Sequence, residues 1–165
     1  MLSLVFSLLI LPGDWFVGGG VSYGASLANT EKKPAVVLGL QLYPFSYQKL
    51  GLFYDFQLRN HNFPVARPFS VKEEERAHSF GSVFRFSTGR VQPWLSGGLL
   101  FYSVNTAIRL PDKLLVGDRQ SRIIPSATAG IKFRVWKNLY EEVGVNLAGT
   151  ARPPWQFVAR TVWRF

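Results

Sequence analysis

The segment WQFVARTVWRF, residues 155–165, alternates without a break. Trp155, Phe157, Ala159, Thr161, Trp163 and Phe165 fall on one parity, and Gln156, Arg160 and Arg164 fall on the other. Successive side chains of an extended strand point to opposite faces, so one face of this strand is aromatic and small while the other carries two arginines. A soluble sheet buries its aromatic face against a core. A membrane barrel turns the same face to lipid and encloses the arginines in its lumen. The rest of the chain decides between these two.

The same period of two recurs eight times, and strands are expected near 14–28, 35–43, 48–60, 75–87, 92–108, 122–136, 139–149 and 155–165. The third is the clearest: Leu50, Leu52, Tyr54, Phe56 and Leu58 share one face, against Lys49, Gly51, Phe53, Asp55, Gln57 and Arg59. The second sets Val36, Leu38, Leu40 and Leu42 against Val37, Gly39, Gln41 and Tyr43. The fifth, WLSGGLLFYSV, alternates poorly, and a bulge at Gly97 and Gly98 is the expected reason. No helical period competes.

Volume settles which face is inside. An eight-stranded barrel leaves an interior that side chains nearly fill. The apolar parity carries Leu, Val, Ile, Phe and Trp on almost every strand, too much bulk for that space. The other parity is rich in small residues, including Gly39, Gly51, Gly81, Gly130, Gly144 and Ala148. The bulky face is therefore outside, against lipid, where only a closed barrel satisfies strand backbones.

The connections PFSY, STGRV and KNL are short, whereas those near 61–74 and 109–121 are long. The expectation is thus an all-β, eight-stranded antiparallel transmembrane β-barrel over residues 13–165 in a bacterial outer membrane, with short periplasmic turns and longer extracellular loops. An even strand number puts both termini in the periplasm. Trp15, Trp155, Trp163 and Phe165 are expected in the aromatic girdles. A terminal Phe after alternating apolar residues also resembles the signal by which outer-membrane proteins are recognised for assembly.

Residues 1–12 form an apolar segment similar to the core of a secretory leader, without a basic start or an A-x-A-like cleavage site. We expect a truncated leader or, alternatively, a segment retained at the barrel or membrane interface.

The formal charge is +9, but the 19 Lys and Arg are scattered, with EKK and KEEER the only runs, and no basic helix or stacking motif accompanies them. Nucleic acid is not an expected partner. The chain has no cysteine, which excludes a disulfide scaffold and a thiolate metal site. No metal-ligand cluster, nucleotide loop or nucleophile elbow is present, and no cofactor is expected. The expected partners are outer-membrane lipid and lipopolysaccharide, together with a protein met in the membrane or through the 61–74 and 109–121 loops.

The expected lumen holds Lys49, Asp55, Arg85, Lys132, Arg134, Glu142, Arg160 and Arg164. Charges enclosed in so narrow a space need partners, so an ion-pair network is expected in preference to a pore or proton path. His61 reads as a loop residue. His78 precedes Ser79, and adjacent strand residues project to opposite faces, so these two cannot form a nucleophile–base pair.

The stretch from AHSFGSVFRFSTGRVQPWLSGGLLFYSV through SATAGIKFRVWKNLYEEVGVNLAGTARPPWQF resembles the lipid A 3-O-deacylase (acyloxyacyl hydrolase-like) outer-membrane family. Ala148-Gly149-Thr150-Ala151-Arg152-Pro153 is the most specific match, to a family pattern His-x-Ser-Asn-Ala-Gly-Thr-Ala-Arg-Pro. The resemblance implies a lipid-facing His and Ser on this strand, helped by an acidic residue on the last strand, that hydrolyse an ester-linked acyl chain. This chain departs from the pattern: the His position is Gly144, the Ser position is Asn146 and the acidic position falls near Gln156. None of these can act as nucleophile or base. The expectation is a barrel of this lineage that has lost the enzyme; the alternative is a deacylase whose site is rebuilt around His78.

Overall fold

The computed structural model describes residues 13–25, 32–44, 48–66, 69–109, 114–148 and 155–165. Eight strands follow one another: β1 (Asp14–Ala25), β2 (Lys32–Tyr43), β3 (Leu50–Ala66), β4 (Phe69–Arg85), β5 (Val91–Arg109), β6 (Leu114–Trp136), β7 (Leu139–Ala148) and β8 (Trp155–Arg164). They pair antiparallel in chain order and close into one barrel, β8 returning to β1 from Phe16↔Arg164 to Gly24↔Gln156. No edge is left open, so the ladder supplies the backbone partners that hydrocarbon cannot.

Rungs traced from Gly18 through Gly39, Asp55, Ser79 and Leu100 reach Ile124; traced the other way through Val162 and Tyr140 they reach Arg134, ten residues further along β6. Such a stagger tilts the strands by roughly 40°. It also stacks the inward side chains of different rungs into layers.

The facing of the strands follows the period of two. Leu50, Leu52, Phe80, Phe84, Leu95, Ile131, Val143 and Phe157 are exposed on the outside. Asp55, Ser79, Arg85, Lys132, Glu142 and Arg160 are buried inside. Trp155, Trp163 and Phe165 face outward at 59%, 44% and 64% exposure, Trp155 at the opposite end of the barrel from the other two. Trp15 differs from the expectation. It stands on the outward parity but is only 6% exposed, as is its rung partner Leu42 at 8%, so its indole is packed within the protein and is no part of a lipid-facing girdle.

Two further corrections concern the elements. Residues 61–66 and 69–74 are not loop but the upper parts of β3 and β4, and 114–121 likewise belongs to β6. β3 and β4 have 17 residues each, and β5 and β6 have 19 and 23, against 10 in β7 and β8. A span needs only about 9–11 residues, so the first four rise well beyond the bilayer as two tall hairpins. Segments such as KEEER hid this because a ladder outside hydrocarbon needs no apolar face. The β1 strand ends at Ala25, and 26–28 lie outside the described residues.

The β4–β5 register runs unbroken through Ser82↔Gly97 and Gly81↔Gly98, so no bulge lies there; the shifts fall at Pro64/Ala66, Asn105/Ala107 and Arg134/Trp136. β5 alternates poorly for another reason: its inward residues Trp94, Leu100, Tyr102 and Val104 are themselves apolar and buried.

Purified in detergent, the protein is expected to give a β-rich circular dichroism spectrum and to migrate differently on a gel before and after boiling. A monodisperse folded species in buffer without detergent would contradict this architecture.

Candidate functional site in the barrel lumen

From the end where β1 begins and β8 ends, the lumen begins with a carboxylate held between two arginines. Asp14 Oδ2 accepts from Arg85 Nη1 at 2.7 Å, and Asp14 Oδ1 accepts from Arg164 Nε and Nη2 at 2.9 and 2.6 Å. Arg85 also donates from Nε to the Gln48 carbonyl at 2.9 Å, and its guanidinium carbon lies 4.0 Å from the Tyr43 ring centroid. Next comes a cluster of Phe16, Tyr43, Phe53, Val83, Trp94, Tyr140 and Val162, all buried. Phe16 packs edge-on against Tyr43 and Tyr140, with centroids 5.9 and 5.3 Å away. Large rings in the lumen were not foreseen from the volume of the interior. They fit where the adjoining strands carry no side chain. A Cβ on Gly130 would lie 2.8 Å from the Trp94 ring, and one on Gly144 would lie 3.5 Å from it.

The central layer is ionic. Arg160 donates from Nε to Glu142 Oε1 at 2.8 Å and pairs through Nη2 with the same oxygen, while its Nη1 pairs with Asp55. Lys132 Nζ lies 3.5 Å from Glu142 Oε2 and donates to Gln41 Oε1. Gln41 in turn donates from Nε2 to Glu142 Oε2 at 3.4 Å and accepts from the Tyr43 hydroxyl at 3.2 Å. The ammonium also lies 4.7 Å from the Phe16 centroid and 5.3 Å from that of Trp94, within cation–π range. A Cβ on Gly39 would collide with Arg160 Nη1 and Asp55 Oδ1, so this glycine makes room for the pair. Above lie Ala77, Leu100, Tyr102, Val104 and Ala148, and then Arg59, Glu75 and His61, all buried.

Of the eight expected lumen charges, Asp55, Lys132, Glu142 and Arg160 meet in one network, and Arg85 and Arg164 meet on Asp14. Lys49 and Arg134 do not join them. Both are exposed, because they stand at the rim, where a long side chain can carry its charge to water. Sequence reasoning missed Asp14, Gln41 and the Arg59–Glu75 pair. Asp14 has the inward parity two residues before Phe16, a signal hidden by the apolar segment just upstream. Glu75 was hidden in the KEEER run.

The resemblance-implied positions also need correction. Gly144, Asn146 and Gln156 all belong to the inward parity, and the last two are buried. Asn146 donates to Thr128 Oγ1 at 3.0 Å, and Gln156 donates to the Ala25 carbonyl at 2.9 Å. A lipid-facing hydrolytic pair cannot be built from them, because Val143, Val145 and Leu147 hold the outward parity of β7. His78 does face outward. Its Nδ1 is hydrogen-bonded to the Tyr54 hydroxyl at 2.7 Å, and its ring lies 5.0 and 6.4 Å from those of Phe56 and Phe101. Among the described residues no group of three His, Cys, Asp or Glu stands close enough to hold a metal.

Comparison with solved structures agrees with the fold. Ail, the attachment invasion locus protein of Yersinia pestis, superposes with a TM-score of 0.65 at 14% identity, covering 93% of this chain and 99% of that one. Neisserial surface protein A gives 0.60 at 14%, covering 93% and 97%. The N-terminal β-barrel domain of OprF from Pseudomonas aeruginosa gives 0.60 at 16%, with the same coverage. The chain has the eight-stranded transmembrane barrel fold of bacterial outer-membrane proteins. No family model and no curated protein sequence matches it.

Replacing Glu142 with Gln leaves Arg160 and Lys132 short of a buried counter-charge. The expected cost is about 3–5 kcal/mol, less where water enters, read as a lower urea midpoint of unfolding in lipid vesicles. Lys49→Ala, at the exposed rim, should leave the midpoint within about 0.5 kcal/mol of the parent. Equal midpoints for Glu142→Gln and the parent would remove the network from the account of stability.

Proposed function

We propose that this chain is a non-catalytic outer-membrane barrel with both termini in the periplasm, which anchors a contact surface formed by its two tall hairpins. The observation that carries this reading is the filled lumen. Asp14 with its arginines, the Phe16–Trp94 cluster and the Arg160 network succeed one another across the bore, all among buried side chains. Across these layers the bore offers no conduit. What remains available to a lipid or protein partner is the exterior of the β3–β4 and β5–β6 hairpins. Lys72 and Arg119 are exposed there on the outward parity, whereas Arg76 is exposed but paired with Glu74; cations such as Lys72 and Arg119 suit the phosphates of lipopolysaccharide or an acidic protein surface. Descent from a lipid A deacylase-like barrel belongs to this proposal and rests on the Ala148–Pro153 sequence.

A second reading, lipid A 3-O-deacylase with a rebuilt site, draws on His78 and Tyr54. Their hydrogen bond lies on the lipid-facing side, where an acyl ester would be met. A phenol in place of a serine, beside a histidine whose ring is flanked by Phe56 and Phe101, is a poor acyl acceptor without a third orienting group.

Two measurements separate the readings. Reconstituted in planar bilayers, the protein should show no resolved conductance steps. Mass spectra of lipid A from cells with and without it should be the same. Loss of one 3-O-linked acyl chain that requires the protein, is abolished by His78→Ala and survives His61→Ala would establish the enzyme instead.

A further inference from the structure

We propose that the mouth of the lumen, at the end where β1 finishes and β8 starts, binds a small free oxyanion (a carboxylate or a phosphate) on one edge of Arg59. Arg59 projects inward from β3 opposite Glu75 on β4 and is 2% exposed. Its Nη1 donates to the Ala25 carbonyl at 3.3 Å and lies 3.7 Å from Glu75 Oε2, beyond hydrogen-bond reach. Its Nε and Nη2 have no acceptor. These two N–H groups share one side of the planar guanidinium and run parallel, the fork that takes both oxygens of a carboxylate or phosphate.

The same lumen shows what that edge does when an acid is within reach. Arg160 turns Nε and Nη2 together onto Glu142, and Arg164 turns Nε and Nη2 together onto Asp14. Arg59 presents the identical edge, as buried as that of Arg160, with its nearest carboxylate stationed on the other side of the group. Buried N–H donors on a charged group are rarely left unmatched. A ligand with two oxygens on one atom matches this pair, whereas chloride cannot span it.

The surroundings set the affinity and the source of the ligand. His61 lies two residues further along the same inward face and is buried; Lys33, Arg59, Glu73 and Glu75 all act on it electrostatically. Two cations and two carboxylates nearly cancel, so fork geometry and not a strong field selects the ligand, and binding should be weak and specific for oxyanions. Because Arg59 lies inside the wall, a lipid phosphate tethered to its acyl chains cannot reach it. The inference depends on the barrel fold alone, and neither reading of function bears on it.

The test is an arginine side-chain Nε–Hε correlation spectrum of the protein in a nonionic detergent, with the Arg59 resonance assigned by its absence from Arg59→Lys. Sodium phosphate and sodium acetate should each shift that resonance saturably. Sodium chloride at matched ionic strength, and phosphatidylglycerol nanodiscs without added phosphate, should not. Glu75→Gln removes the carboxylate that competes for the guanidinium, and should tighten phosphate binding by about threefold or more. This variant keeps the question open to measurement if Arg59→Lys folds poorly, the resonance then being the one whose phosphate response changes in Glu75→Gln. No saturable shift with either oxyanion, an equal shift with chloride, or unchanged binding in Glu75→Gln would overturn the proposal. A shift produced by the nanodiscs alone would overturn the assignment to a free anion.

Discussion

Hydrocarbon offers no partner to a backbone N–H, and everything else in this protein follows from that constraint. Eight strands satisfy it only by closing, β8 onto β1, and closure at a stagger of ten residues fixes the bore. A bore of that width must be filled by side chains projecting from every wall. Charges placed in it have to find each other, as Asp55, Arg160, Glu142 and Lys132 do. Rings placed in it have to find wall positions without side chains, as Trp94 does over Gly130 and Gly144. The sequence on the inner parity is therefore a packing solution as much as an electrostatic one.

The fold was legible because lipid imposes a rule on every second residue. From Leu50 to Leu58 the outward face is apolar throughout, and no other architecture makes use of so much exposed apolar surface on an alternate parity. Legibility stopped where lipid stops. The upper parts of β3, β4 and β6 read as loops, since a strand clear of hydrocarbon is free to carry KEEER. In the lumen, parity named Asp55, Lys132, Glu142 and Arg160, but could not show which rung faces which across the bore; that depends on the stagger, which no local pattern encodes. Trp15 failed for a similar reason: parity gives direction and says nothing of what packs on top.

Parity also changes the meaning of a motif. The positions that a deacylase would use, Gly144 and Asn146, share their face with Glu142 and Ala148, and all four turn inward. A short sequence likeness fixes residue types at a spacing, but on a strand it fixes chemistry only when the face is known. Here the face is occupied by an indole and by an amide–hydroxyl contact between Asn146 and Thr128.

The membership of the central ionic layer has a consequence for assembly. Lys132, Glu142 and Arg160 come from three consecutive strands at the C-terminal side, two cations to one carboxylate, whereas Asp55 comes from β3. A sheet that has formed but not yet curled shut thus keeps an excess positive charge near one margin and a negative charge toward the other. The Asp14–Arg164 contact repeats the arrangement at the margins themselves, β1 against β8. Opposite charges at two ends of a curling ribbon attract more strongly as water is squeezed from between them. The atoms that plug the bore therefore also join the two margins that closure brings together, Asp14 on β1 and Arg164 on β8.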